Sequence, residues 1–233
     1  MPLPPAVREN LETVRARMVS ACRAAARDPD SVRLLAVSKT FPAAAVAEAH
    51  AAGQSAFGEN YAQEGVEKVD ALADLPLEWH YIGPIQSNKT RPIAENFAWV
   101  HAVDRLKIAE RLSAQRPAHL PDLQVCLQLN VSGESSKSGL ESAALLQLAQ
   151  QVARLPRLKL RGLMAIPAPA TLLAAQRVPF RELRLLLRQL NAAGLGCDTL
   201  SMGMSADLEA AIYEGATIVR IGTAIFGTRT QTT

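Results

Sequence analysis

The chain has 233 residues, of which 48% are hydrophobic and 20% charged, the composition of a globular domain, and this excludes disorder over most of its length. A net charge of +3, from 25 basic and 22 acidic residues with no Lys/Arg run, is too mild for a nucleic-acid footprint. No apolar stretch approaches the ~18 residues of a membrane span, and the opening MPLPPAVRENLETVRARM is charged throughout, without the apolar centre of a signal peptide.

Asn10 to Arg27, rich in Ala, Arg, Leu and Val, predicts a helix ahead of the first strand. Val32–Lys39 (VRLLAVSK) is a short β-branched, apolar run that predicts a strand. Pro42 then opens a helical pattern that Gly53 closes, the expected asymmetry of helix ends. The unit repeats. Ser55–Asn60, Glu78–Gly83, Ala98–Asp104, Leu123–Val131, Leu158–Pro167, Thr199–Met204 and Thr217–Gly222 predict seven more strands, with helical patterns between them. Phe180, Leu183, Leu187 and Leu190 form one stripe at helical spacing. Pro167–Pro179 is the most loop-like internal segment. The strands are continuous apolar runs, as in parallel sheets buried on both faces. Alternation of this kind predicts an α/β fold. Eight units favour a single-domain (β/α)8 barrel with an extra N-terminal helix over an open doubly wound sheet, because closure removes both edges.

In such a barrel, function sits at the C-terminal ends of the strands. Lys39 ends an otherwise apolar strand, where partial desolvation would favour a free amine fit for Schiff-base chemistry, or where it simply leaves for solvent. Ser201–Ser205, with Gly203 and Met204 between, runs from strand through glycine into helix and could cradle a phosphate; Ser205 or Asp207 could equally be an ordinary cap. Gly222 and Thr223, after the eighth strand, supply the second loop of the recurrent barrel phosphate site. Arg220 inside TIVRIG needs a partner, and Glu59 is the simplest one. His80 is more simply a satisfied core histidine than a catalyst. Met164, Met202 and Met204 are expected to fill the barrel. Ser132–Ser138 could act as a lid. Cys22, Cys126 and Cys197 are odd in number and lack ligand spacing, so neither a disulfide framework nor a metal site is expected.

The strings AVSKT, FGENYAQE, WHYIGPIQSNK, LQLNVSGESSKSGL, RGLMAIP, LSMGMSADLEAAI and VRIGTAIFG, in this order from Val32 to Arg229, closely resemble the pyridoxal phosphate homeostasis (YggS/PROSC) family. The resemblance implies a barrel similar to the N-terminal domain of alanine racemase, holding pyridoxal 5′-phosphate (PLP). It implies that Lys39 carries PLP as a Schiff base, Asn60 lines the ring and Arg220 faces the pyridine nitrogen. Ser201, Gly203, Met204, Ser205, Gly222 and Thr223 then surround the phosphate. Alanine racemases add a C-terminal β-domain that supplies a catalytic tyrosine, whereas this chain ends soon after Arg229. The expectation is therefore a cytoplasmic, monomeric protein that buffers PLP or delivers it to apo-enzymes with little or no turnover, and that binds neither nucleic acid nor membrane. A PLP-dependent racemase, with His80 as its second acid/base, is the alternative. A sugar-phosphate barrel without PLP is a weaker third reading.

Overall fold

The structure, a computed structural model, describes residues 7–131 and 139–227. Eight parallel strands close into one barrel in sequence order: β1 (Arg33–Val37), β2 (Ala56–Glu59), β3 (Glu78–Tyr81), β4 (Trp99–Val103), β5 (Leu123–Leu129), β6 (Leu158–Ala165), β7 (Thr199–Ser201) and β8 (Ile218–Ile221). The ring is completed by β1 against β8, with Leu35 beside Arg220. Each predicted strand forms, trimmed by a residue or more at one or both ends where the chain turns toward a helix.

The outer layer comprises α1 (Val7–Ala24), α2 (Ala43–Ala51), α3 (Ala62–Ala71), α4 (Thr90–Asn96), α5 (Leu106–Gln115), α6 (Leu145–Val152), α7 (Leu173–Ala192), α8 (Leu208–Tyr213) and α9 (Thr223–Phe226). The last unit ends in the four-residue α9, too short to cover its strand, and α1 fills the gap. It buries Leu11, Val14, Met18, Ala21 and Cys22. Asn10 Nδ2 donates to the Ile225 carbonyl (2.8 Å), and Arg27 Nη1 to that of Ile212 (2.8 Å). The N-terminal helix thus stands where an eighth barrel helix would.

Two expectations need correction. Pro167–Pro179 is not all loop, because α7 starts at Leu173 and runs on through Pro179. Its first two turns are largely exposed and carry no apolar stripe, so periodicity could not reveal them. In the stripe beyond, Leu186 is buried and Leu187 only half-buried. Met164 and Met202 are fully buried, but Met204 is 37% exposed and fills nothing. The lid expected at 132–138 lies outside the described residues. Among the described residues, no helix is long and apolar enough to cross a membrane.

Candidate functional site

The expected site residues gather on one arc of the mouth. β7, β8, β1 and β2 are consecutive around the ring, and Ser201, Arg220, Lys39 and Asn60 lie on or just past their ends. Lys39 continues the alternate series of Leu35 and Val37, half-buried at the end of β1.

A buried polar network holds the turn that carries Lys39. The Phe41 N–H donates to the Ser38 carbonyl (3.0 Å), closing a four-residue turn. Thr40, the third residue of this turn, has φ +67, a left-handed conformation costing a β-branched residue about 1–3 kcal/mol. Its N–H donates to Glu64 Oε1. Lys68 Nζ, from α3, donates to the Ser38 carbonyl (2.8 Å), Glu59 Oε1 (2.7 Å) and Glu64 Oε1 (2.7 Å). Ser38 Oγ donates to Glu59 Oε1 (2.6 Å). Burial pushes the Glu59 carboxyl upward, against the pull of Lys68 and Ser38. Glu59 is therefore not the partner of Arg220, as expected from the sequence. It points outward between β2 and α3, toward Gly65, and its charge is met there by Lys68.

Arg220 is instead held by oxygens inside the barrel. Its Nη1 donates to the Ser201 carbonyl (2.5 Å) and Oγ (2.8 Å), and its Nη2 to the Ala165 carbonyl (2.9 Å). These use three of the five guanidinium N–H groups and leave two without an acceptor among the described residues. Burial lowers Arg220 to about 10, opposed by the charge of Asp207, so it remains a cation at neutral pH.

Below Ser201 the polar chain continues. His101 Nδ1 is 2.7 Å from Ser201 Oγ, and His101 Nε2 is 2.9 Å from His80 Nδ1. His80 Nε2 is 2.6 Å from Glu78 Oε1, which also accepts from Arg33 Nη2 (2.7 Å). β4 and β7 are not neighbours, so the His101–Ser201 contact spans the barrel interior. Burial alone would raise Glu78, but the His80 and Arg33 hydrogen bonds and charges outweigh it and hold the carboxyl at about 2. Burial lowers His80, and lowers His101 well below the usual imidazole range, with His80, Arg220 and Arg33 adding to the effect. Both ring nitrogens of His80 are engaged, so it offers Lys39 no second acid/base.

Two turns follow the neighbouring strands β7 and β8. The β7–α8 turn needs Gly203: its φ is +94, and a Cβ there would sit 2.5 Å from that of Ala211. Asp207 Oδ1 accepts the Met204 N–H (2.5 Å), so Asp207 closes the turn that precedes α8. Burial raises its carboxyl, while the Met204 N–H and Arg220 counteract. Ser205 is half-buried, and its carbonyl accepts from Arg17 Nη2 of α1 (3.2 Å), which also pairs with Glu209 (2.9 Å). In the β8–α9 turn, Gly222 is half-buried and Thr223 exposed. The first N–H groups of a helical turn have no acceptor within it. Asn60 is fixed through its backbone: Tyr81 Oη donates to its carbonyl (3.0 Å), and a Cβ on Gly83 would lie 2.2 Å from that oxygen. Its side-chain Oδ1 is buried with no partner among the described residues.

Sequence reasoning placed Lys39, Asn60, Arg220 and both turns. It missed Ser38, Glu64 and Lys68, which hold the lysine turn, and Arg17, which braces Ser205. It also missed His101, which links His80 to Ser201. A lysine on the buried face of α3 was the one available signal.

The fold and site define a class: a closed (β/α)8 barrel whose mouth sets a lysine and a buried arginine on adjoining strands, flanked by two glycine-bearing turns. The chain belongs to the alanine racemase N-terminal domain family, whose model matches residues 5–230, and within it to the pyridoxal phosphate homeostasis proteins. The Pseudomonas aeruginosa protein of that name is 67% identical, with 96% of each chain covered. That of Escherichia coli K12 is 54% identical over 96% of this chain and 97% of its own. The structure of PipY from Synechococcus elongatus with PLP bound superposes with a TM-score of 0.83 at 40% identity, covering 95% of this chain and all (100%) of that one.

Proposed function

We propose that this protein binds pyridoxal 5′-phosphate at the barrel mouth and serves PLP homeostasis by holding and releasing the cofactor. The observation that carries the reading is the arc on which an amine, a buried guanidinium with spare donors and two glycine-bearing turns meet.

The donor set fits the group. The Asn60 Oδ1 is a buried acceptor without a donor among the described residues, a rarity among buried amides and a place for the ring hydroxyl. The spare N–H groups of Arg220 suit an aromatic nitrogen. Gly203, Met204 and Ser205 on one side, and Gly222 and Thr223 on the other, suit the phosphate. When bound, the cofactor supplies an aldehyde and an electron-withdrawing ring. Lys39, half-buried at the end of β1, is the side chain that would hold that aldehyde, in a linkage that water or another amine could reverse. Arg220 can only donate, so a nitrogen facing it stays unprotonated and the ring remains a weak electron sink. Buffering needs binding and release rather than transition-state stabilisation. The site favours this role over racemisation, since His80 is locked inside the barrel.

The same reading places the protein in the cytoplasm, working as a monomer that hands PLP to apo-enzymes. Cys22, Cys126 and Cys197 are buried and free, as suits a reducing compartment. Light scattering and transfer of PLP to an apo-enzyme check these points. The binding reading is tested by the visible spectrum. Protein incubated with PLP should show a band that Lys39→Ala abolishes; a colourless wild-type protein that retains no PLP after gel filtration would sink it.

A further inference from the structure

We propose that Glu78, His80 and His101 form a positioning relay along the barrel axis that fixes the hydroxyl of Ser201 and, through it, the guanidinium of Arg220. Ser201 thereby serves the arginine rather than the phosphate. The inference rests on the proposed PLP site only for its consequence, not for its geometry.

The hydrogens of this chain can be placed by elimination. Glu78 is a carboxylate already facing Arg33, so it accepts, and His80 carries its hydrogen on Nε2. His80 is 1% exposed, and removal from water favours the neutral ring. Its Nδ1 then accepts, so His101 must donate from Nε2. His101, 0% exposed, is likewise neutral and accepts at Nδ1, so the one hydrogen of Ser201 Oγ points down the axis. The lone pairs of Oγ are left for Arg220. Every donor points away from the mouth and toward Glu78. Ser201, itself 0% exposed, has no hydrogen to offer a phosphate. A carboxylate at the far end of the barrel thus sets which way a hydroxyl beneath the cofactor site faces.

The test reads tautomers directly. In the full-length protein without PLP, labelled with ¹⁵N-histidine, long-range ¹H–¹⁵N correlation at pH 7.5 should show His80 and His101 neutral with hydrogen on Nε2. Glu78→Gln keeps the shape but can donate or accept, and should introduce the opposite tautomer at both rings. Ser201→Ala, which acts from the other end, should unlock His101. In PLP-loaded protein, Glu78→Gln should shift the visible band and speed PLP release several-fold, with the Lys39 linkage intact. A cationic His80, hydrogen on His101 Nδ1, or tautomers unmoved by both variants would overturn the relay. Failure of the protein to take up PLP would overturn the proposed function and leave the tautomer result standing.

Discussion

Two polar networks brace the same apolar barrel, one outside it and one within, and they differ in charge and in what they hold. The network outside β1 and β2 is ionic: Lys68 meets Glu59 and Glu64, and together they fasten the backbone on either side of Lys39. The network on the axis is neutral at its centre, two imidazoles and a hydroxyl with charges only at the ends, and it fastens a side chain, Arg220. Strain at Thr40 demands strong partners, which charge supplies. Orientation of a guanidinium demands direction, which a chain of single donors supplies. Lys39 itself is left half-buried between the two.

The contrast can be broken from either side. The largest effect should come from Lys68→Met, which strands Glu59 as a buried unpaired charge. It should cost about 3–5 kcal/mol, read as the urea midpoint, whereas a loss under 1 kcal/mol would show that the ionic network is incidental.

The axial network should reveal itself through pH. The folded-state values of His80 and His101 lie below 6.5, so between those values and 6.5 the unfolded chain binds more protons than the native one. Stability should hold level above pH 6.5 and fall as pH drops below it. The slope approaches about 1.4 kcal/mol per pH unit for each histidine. The Glu78 contribution goes later, between its ordinary value of 4.5 and about 2. Glu59, shifted upward, works in the opposite sense as it protonates. Urea melts at pH 7.5, 6.0 and 5.0 check the sum, and a stability that rises through this interval would contradict buried neutral imidazoles.

The smallest effect belongs to the brace from α1. Arg17→Ala removes a half-exposed pair and a hydrogen bond to the Ser205 carbonyl. About 0.5–1 kcal/mol of stability and a few-fold weaker PLP retention are expected, measured by thermal melts and by equilibrium dialysis. Unchanged retention would show that α1 does not support the phosphate turn.

How legible each part was in the sequence follows from range. Strands and helices announce themselves through local periodicity, so the barrel could be read, and with it the height of Lys39 and Arg220 at the mouth. The partners of those residues could not. His101 and Ser201 are 100 positions apart and meet only once the ring closes. Lys68 lies on a helix, where a lysine ordinarily faces solvent, and its spacing from Ala62 and Gly65 on the buried face is the one local sign against that. Glu59 misled because neighbours in a strand face opposite sides, and only the structure shows that it points out while Arg220 points in.

The proposed function stands or falls with capture of PLP by the amine at the end of β1. Borohydride reduction of the PLP-treated protein, followed by peptide mass spectrometry, tests it most directly. A single pyridoxyl phosphate adduct on Lys39, absent from Lys39→Ala, is expected. An adduct on another lysine with Lys39 unmodified would contradict it.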